Sequence, residues 1–136
     1  MYKVVVPAVL IFAVAGCASE GPAGSSTPKA GETRVPRDEV IANHTNTIIK
    51  ATFPNGDRSE SVFGADNSVK ATYRWRDGSE SDEGSWTLNE QGVLCFTWKK
   101  KWENSCWVDY KSGDQYVGYE QGGKKRRVTF TVAPRA

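Results

Sequence analysis

The stretch 84–107, GSWTLNEQGVLCFTWKKKWENSCW, constrains the fold more than any other part of the chain. It contains four of the five tryptophans and two of the three cysteines, Cys95 and Cys106. Two strands and the start of a third can be recognised in it, with turn residues at 89–92 and near 99–101. We therefore expect a hydrophobic centre and a covalent cross-link at one place, with the remaining strands packed on it.

The N-terminus resembles a bacterial lipoprotein signal. Lys3 precedes an apolar run over residues 4–15, which is shorter than the ~20 residues of a membrane span and typical of a signal peptide. Val-Ala-Gly-Cys follows at residues 14–17 and resembles the lipobox, in which the cysteine thiol is acylated. We predict a signal peptide over residues 1–16 and lipidation (diacylglycerol, palmitate) at Cys17; an ordinary signal peptide is the alternative.

The predicted anchor places the protein in the cell envelope, attached to the membrane by lipid and facing the periplasm. By analogy with lipoprotein sorting in Gram-negative bacteria, Ala18 and Ser19 favour the outer membrane, because neither is the aspartate that retains lipoproteins at the inner one. Residues 17–34 are rich in Gly, Ser, Ala and Pro and predict a flexible tether. Residues 35–136 are then the folded domain.

The cysteine count agrees with this location. An odd cysteine is unusual in a secreted protein, and assigning Cys17 to lipid leaves Cys95 and Cys106 as a pair. In an oxidising compartment this pair predicts a disulfide. If the two cysteines face each other across a hairpin, Leu94 opposes Trp107, and this register places two large apolar side chains side by side.

From residue 47 onward the pattern predicts an all-β fold. Apolar and polar residues alternate most clearly over 69–76, and this alternation assigns Trp75 to the core; Trp86 is assigned to the core in the same way. Turn signals recur every eight to twelve residues, which predicts about eight short antiparallel strands in a meander. A small barrel and a sandwich both fit; we favour the barrel because closure removes exposed strand edges.

A short helix is predicted just before the strands. Pro36 is suited to the first turn of a helix, and Asp38 and Glu39 favour the positive end of its dipole. Val40 and Ile41 give it a small apolar face. We expect this helix to cover one end of the sheet.

The best candidate for a binding surface is the segment from Trp98 to Trp102. Its tryptophans flank three lysines, Lys99, Lys100 and Lys101. Exposed aromatic rings could stack on sugars, with the lysines near acidic groups, so we predict a non-catalytic binding module for an envelope glycan or protein. A structural use of the tryptophans and a merely solvated basic face are the alternatives, and no nucleic acid partner is expected.

Several short motifs follow the order seen in an uncharacterised family of small secreted domains, found mainly in rhizobia and related alphaproteobacteria, which the chain resembles. They are Asn46-Thr47, Trp-x-Asp-Gly (Trp75, Asp77, Gly78), Gly-x-Trp (Gly84, Trp86), Gly-x-Leu-Cys (Gly92, Leu94, Cys95) and Cys106. The similarity covers roughly residues 38–120. It implies a compact β fold with a disulfide, and it implies no activity because the function of the family is unknown.

A fainter similarity is to periplasmic lysozyme inhibitors, which are small β-barrel lipoproteins. Their loops carry Ser-Gly-x-x-Tyr followed by a Lys-Gly segment, and here Ser112, Gly113 and Tyr116 precede Gly123 and Lys124. The second segment departs from the pattern, since Lys and Gly are inverted and the tryptophan is missing. Lysozyme inhibition through these residues is the alternative function.

The residues give little support for catalysis or metal binding. His44 is the one histidine, and we expect it to end the helix rather than to act in a catalytic triad. The acidic run 77–84 lacks the spacing of a calcium loop and predicts a solvated hairpin tip. We expect no enzyme activity, no cofactor and no metal.

Overall fold

The computed structural model describes residues 27–135, and the fold is given for those residues. The predicted signal peptide, Cys17 and the first part of the predicted tether lie outside them. The described chain forms one helix, α1 (Arg37–Asn43), and nine strands. The strands are β1 (Thr33–Arg34), β2 (Thr47–Thr52), β3 (Arg58–Phe63), β4 (Ser68–Trp75), β5 (Gly78–Leu88), β6 (Leu94–Trp98), β7 (Ser105–Ser112), β8 (Gln115–Gln121) and β9 (Arg127–Pro134).

Strands β2 to β9 form a closed antiparallel barrel. Each strand pairs with the next along the chain, and β9 returns to pair with β2, from Thr47 opposite Pro134 to Thr52 opposite Thr129. The predicted all-β meander of eight strands is therefore confirmed, and it closes into a barrel rather than folding into a sandwich. Closure gives both β2 and β9 a second neighbour and so leaves neither as a free edge.

The loops between strands gather at two ends of the barrel, because successive strands run in opposite directions. The closed end lies beside α1 and carries the connections at 64–67, 89–93 and 113–114. The open end carries the connections at 53–57, 76–77, 99–104 and 122–126.

Helix α1 covers the closed end, as predicted. Its Val40 is buried in the same cluster as Phe63 and Trp86 of the barrel. The Arg37 guanidinium donates hydrogen bonds to the carbonyls of Leu88 (3.3 Å) and Asn89 (3.2 Å) at the end of β5. The helix is too short to be stable alone, so packing and these contacts hold it in place.

Two expectations about the β4–β5 hairpin need correction. Trp75, assigned to the core, is 42% exposed, because it ends β4 opposite Gly78, at the tip of the hairpin. The acidic run 77–84 is mostly strand: β5 begins at Gly78, and only residues 76–77 form the turn. The assignment of Trp86 to the core is confirmed.

Residues before α1 pack on the outside of the barrel. Thr33 and Arg34 pair with β7, where the shorter β6 leaves that strand without a neighbour. The Glu32 carboxylate accepts hydrogen bonds from the Tyr119 hydroxyl (2.7 Å) and the Arg127 guanidinium (3.2 Å). Tyr119 is 0% exposed although it lies on the outer face. Residues 32–34, predicted as the end of the tether, therefore contact the barrel.

The expected register of the β6–β7 hairpin is confirmed. Cys95 lies opposite Cys106, and Leu94 lies opposite Trp107. The sulfur atoms of the two cysteines are 2.05 Å apart, at disulfide-bond distance. Only three residue pairs join β6 to β7, so the cross-link sits in a short section of the barrel wall.

Candidate functional site

The barrel contains a cavity of about 530 Å³ that reaches the open end. This volume is within the ~300–1,000 Å³ typical of small-molecule sites. Apolar and aromatic side chains form most of its wall; they are Ile49, Ala51, Phe53, Phe63, Ala71, Tyr73, Leu94, Phe96, Trp98, Trp102, Trp107, Val128 and Phe130. Successive side chains of a strand point to opposite faces, and the strand residues among these side chains occupy the positions that face into the barrel.

The mouth of the cavity is formed by the predicted aromatic segment. Trp98 stacks on Phe96 with ring centroids 5.6 Å apart and meets the edge of Trp102 at 4.8 Å. Both tryptophans are half-buried rather than forming the exposed patch that was expected. Lys101 and Lys124 come from different loops and both line the mouth. The structure thus brings together Trp98, Lys101, Trp102 and Lys124.

The other two lysines of this segment do not line the cavity. Lys99 and Lys100 are exposed, and their backbone rather than their side chains fixes the loop. The Lys99 amide donates to the Glu83 carbonyl at 2.9 Å, and the Lys100 amide donates to the Asp82 carboxylate at 3.2 Å. The turn is therefore tied to β5 along its backbone.

Asp82 holds this loop, and sequence reasoning missed it. Its carboxylate is 2% exposed and accepts backbone N–H bonds from Lys101 (2.8 Å) and Trp102 (3.1 Å), as well as from Glu83 and Lys100. The Trp102 indole N–H donates to Glu80 at 2.8 Å. The position of Trp102 at the mouth therefore depends on two carboxylates of β5.

The hydrogen bonds to Asp82 predict how the loop responds to acid. Burial alone would raise the pKa of this carboxyl, but the backbone N–H donors of Lys101, Trp102, Glu83 and Lys100 together lower it to about 2. Because the folded-state pKa is lowered, the stabilisation is present above pH ~4 and lost as the pH falls towards 2. In Asp82→Asn we expect faster amide hydrogen exchange at residues 100–102 and a smaller loss of stability between pH 4 and 2.

The matched control for this experiment is Asp77→Asn, in the same acidic run. Asp77 is exposed at the tip of the β4–β5 hairpin, so its replacement should leave exchange at residues 100–102 as in the wild type. Exchange at β2 should be unaffected by either substitution. Equal exchange rates in Asp82→Asn and Asp77→Asn would show that the carboxylate does not hold the loop.

Asp109 is a second carboxyl that sequence reasoning missed. It lies on the inward face of β7, is 5% exposed and lines the cavity. Its Oδ2 has no hydrogen-bond partner among the described residues. Burial raises its pKa to about 7, so it is partly protonated near neutral pH. In the sequence, Asp109 is recognisable only by its position two residues after Trp107, which places a charged side chain on the inward face of β7.

The remaining charged groups deep in the mouth are paired. Arg126 donates to both oxygens of Glu120, at 3.2 and 2.9 Å, and its guanidinium lies 5.5 Å from the ring centroid of Trp107. Burial disfavours ionisation of Glu120, but the Arg126 guanidinium and backbone N–H hold the pKa of Glu120 below its ordinary value. Glu120 and Arg126 are therefore both charged, and each is the ion-pair partner of the other.

His44 forms part of the cavity floor rather than only ending the helix. It is buried and packs edge-on against Phe63 at 4.9 Å. Its Nδ1 lies 2.7 Å from the Val40 carbonyl, so Nδ1 must carry the proton, since a carbonyl only accepts. Burial lowers the pKa of His44 to about 4. The imidazole is therefore neutral at physiological pH.

The residues of the alternative inhibitory site are not brought together. Ser112 and Tyr116 flank the β7–β8 turn at the closed end, where Tyr116 stacks on Phe130 at 5.2 Å. Lys124 lies at the open end. The strand between them, β8, has seven residues, which span about 20 Å.

Among residues 27–135, no group of three or more His, Cys, Asp or Glu side chains could hold a metal ion. The same residues include no helix with the length and apolar character needed to cross a membrane.

Comparison of the chain with protein-family models, with curated proteins and with solved structures gives no match. The resemblances seen in the sequence therefore stay predictions.

Proposed function

We propose that the protein is a non-catalytic binding module of the cell envelope, and that a group of an envelope glycan or protein enters the barrel through the Trp98–Trp102 mouth. The observation that carries this proposal is the aromatic-walled cavity of about 530 Å³, reached between Trp98, Trp102 and Lys124. Ligand sites of proteins are commonly concave and mostly apolar, with a few placed polar groups. The mouth of a β-barrel is one of their usual locations.

The membrane anchor is part of the proposal and is supported by the sequence. The apolar run and the Val-Ala-Gly-Cys motif ending at Cys17 favour lipidation. The tether would then hold the barrel near the membrane surface, facing the periplasm, where envelope glycans and proteins are the molecules within reach.

The polar side chains that line the cavity favour binding over catalysis. The one histidine of the chain uses its Nδ1 for the Val40 carbonyl, so no carboxylate orients it as a general base. Lysozyme inhibition is the alternative function, and no observation favours it, because Tyr116 and Lys124 lie at opposite ends of the barrel. A partner would have to contact both ends at once.

Trp102→Ala tests the proposal in the full chain. Removing the indole takes away an aromatic wall of the mouth and leaves Glu80 without its donor, so we expect at least tenfold weaker retention on whichever envelope material binds the wild type. The measurement is cosedimentation with purified peptidoglycan and with lipopolysaccharide, and capture from an envelope protein extract.

Trp75→Ala is the matched control, because Trp75 is an exposed tryptophan at the same end of the barrel that does not line the cavity. It should bind as the wild type does. Retention of Trp102→Ala equal to that of Trp75→Ala would refute the mouth as the binding site, as would failure of the wild type to bind any of the three materials.

A further inference from the structure

We infer that the ligand group taken into the barrel is an amine-type cation on an apolar body, and that Asp109 is the residue that holds it. This inference rests on the proposed function and names the chemistry of its ligand. It is carried by the placement of a buried, unpartnered carboxyl in an aromatic cavity.

Asp109 is a buried residue of the cavity lining. It lies opposite Gly118 across the β7–β8 ladder. A Cβ added at Gly118 would come within 3.4 Å of Asp109 Oδ1 and 3.1 Å of a Val128 methyl. A side chain at position 118 would therefore crowd Asp109, and the Oδ2 of Asp109 is a buried acceptor without a donor among the described residues.

The other charges around the cavity sum to zero. Besides Asp109 and the neutral His44, the described lining residues carry three positive and three negative charges: Lys101, Lys124 and Arg126, and Glu80, Glu103 and Glu120. Lys101, Glu103 and Lys124 are exposed at the rim, where water screens them. The ionised Asp109 thus adds one negative charge to this set, and it lies buried, where screening is weak. A bound cation would supply the missing partner.

The wall around Asp109 suits a cation with an apolar body. Trp107 lies two residues away on the same face of β7, and Phe130 lines the same cavity as Asp109. Aromatic faces attract ammonium groups and also bury hydrocarbon. The Arg126 guanidinium already packs near Trp107, at 5.5 Å, which shows that the cavity accepts a cation against its aromatic wall.

The experiment compares n-octylamine with n-octanol, which differ only in the head group, in titrations of the full chain at pH 8. The amine is protonated at this pH, as a lysine side chain is. Trp98, Trp102 and Trp107 line the cavity, so intrinsic fluorescence reports binding. We expect the wild type to bind octylamine at least tenfold more tightly than octanol, and Asp109→Asn to lose this preference while its affinity for octanol stays within about twofold.

Glu60→Gln is the control for net charge, since Glu60 is exposed on β3 and does not line the cavity; it should keep the preference for octylamine. Octanol binding by Asp109→Asn shows that the cavity is intact in that variant. Equal affinities of the wild type for the two probes, or an unchanged preference in Asp109→Asn, would overturn the amine assignment and leave the proposed function standing. Binding of neither probe would also overturn the amine assignment, while the proposed function is decided separately by the comparison of Trp102→Ala with Trp75→Ala.

Discussion

Replacing Asp109 by asparagine is expected to raise the free energy of unfolding at pH 8 by about 4 kcal/mol and to leave it nearly unchanged at pH 4. Burial raises the pKa of this carboxyl to about 7, whereas it is ~3.9 in an unfolded chain. Between pH 4 and 7 the unfolded state releases a proton that the folded state keeps, so stability falls as the pH rises. Above pH 7 the folded protein holds an unpartnered carboxylate, and the loss is complete.

His44 has the opposite pH dependence and must be separated from Asp109. Burial lowers the pKa of His44 from 6.5 to about 4; its contribution is therefore present above pH ~6.5 and lost as the pH falls to 4. In the wild type the two slopes oppose each other. In Asp109→Asn the opposing fall is removed, and the His44 contribution alone should increase stability by about 3 kcal/mol from pH 4 to 6.5.

Urea unfolding at pH 4, 6 and 8, followed by tryptophan fluorescence, measures both effects. Asp114→Asn is the matched control, because Asp114 is an exposed aspartate in the turn that follows β7; its stability should follow that of the wild type at every pH. An Asp109→Asn protein that is no more stable than the wild type at pH 8 would show that the buried carboxyl has a compensating partner.

If Asp109→Asn is more stable than the wild type, that result also bears on the function of the protein. Residues that destabilise a fold are commonly found where binding or catalysis needs them. A measured gain in stability would therefore support the amine inference independently of the charge pattern around the cavity. The two experiments on Asp109→Asn should give opposite results, with higher stability and lower affinity for octylamine.

The fold could be predicted because its main determinants are local. Period-two alternation marked the strands, turn residues marked their ends, and the Cys95–Cys106 pair set the register of β6 and β7. Trp75 was misplaced because alternation gives the face of a side chain but not its height along the barrel. It shares a face with Val69 and lies beyond the rim.

Alternation could have placed the two carboxyls of the site on the inward face, but it could not predict their partners or their burial. A run of acidic residues beside Asp-Gly is typical of a solvated turn, yet counting back by twos from Trp86 places Asp82 on the inward face. Its partners are backbone N–H groups of a loop that begins 17 residues later, which no spacing rule encodes. Asp109 is unpartnered, and only burial, a tertiary property, distinguishes it from a surface aspartate.

Removing the Cys95–Cys106 cross-link is expected to lower the free energy of unfolding by about 3 kcal/mol, the value that chain entropy gives for a short closed loop. The cysteines are 11 positions apart, and their loop contains the 99–104 connection of the mouth. Only three residue pairs join β6 to β7, so the barrel wall is weakest there. The double variant Cys95→Ser with Cys106→Ser should therefore also show faster amide exchange along β6.

Urea unfolding of the full chain with and without dithiothreitol measures the effect. Reduction should shift the wild-type midpoint to that of the double serine variant and should leave the variant itself unchanged, which controls for other effects of the reductant. If the barrel depended on its hydrogen-bonded closure alone, reduced and oxidised protein would unfold at the same urea concentration. We expect them to differ, because the β6–β7 ladder is too short to replace the covalent link that holds the tryptophans of the mouth against the wall.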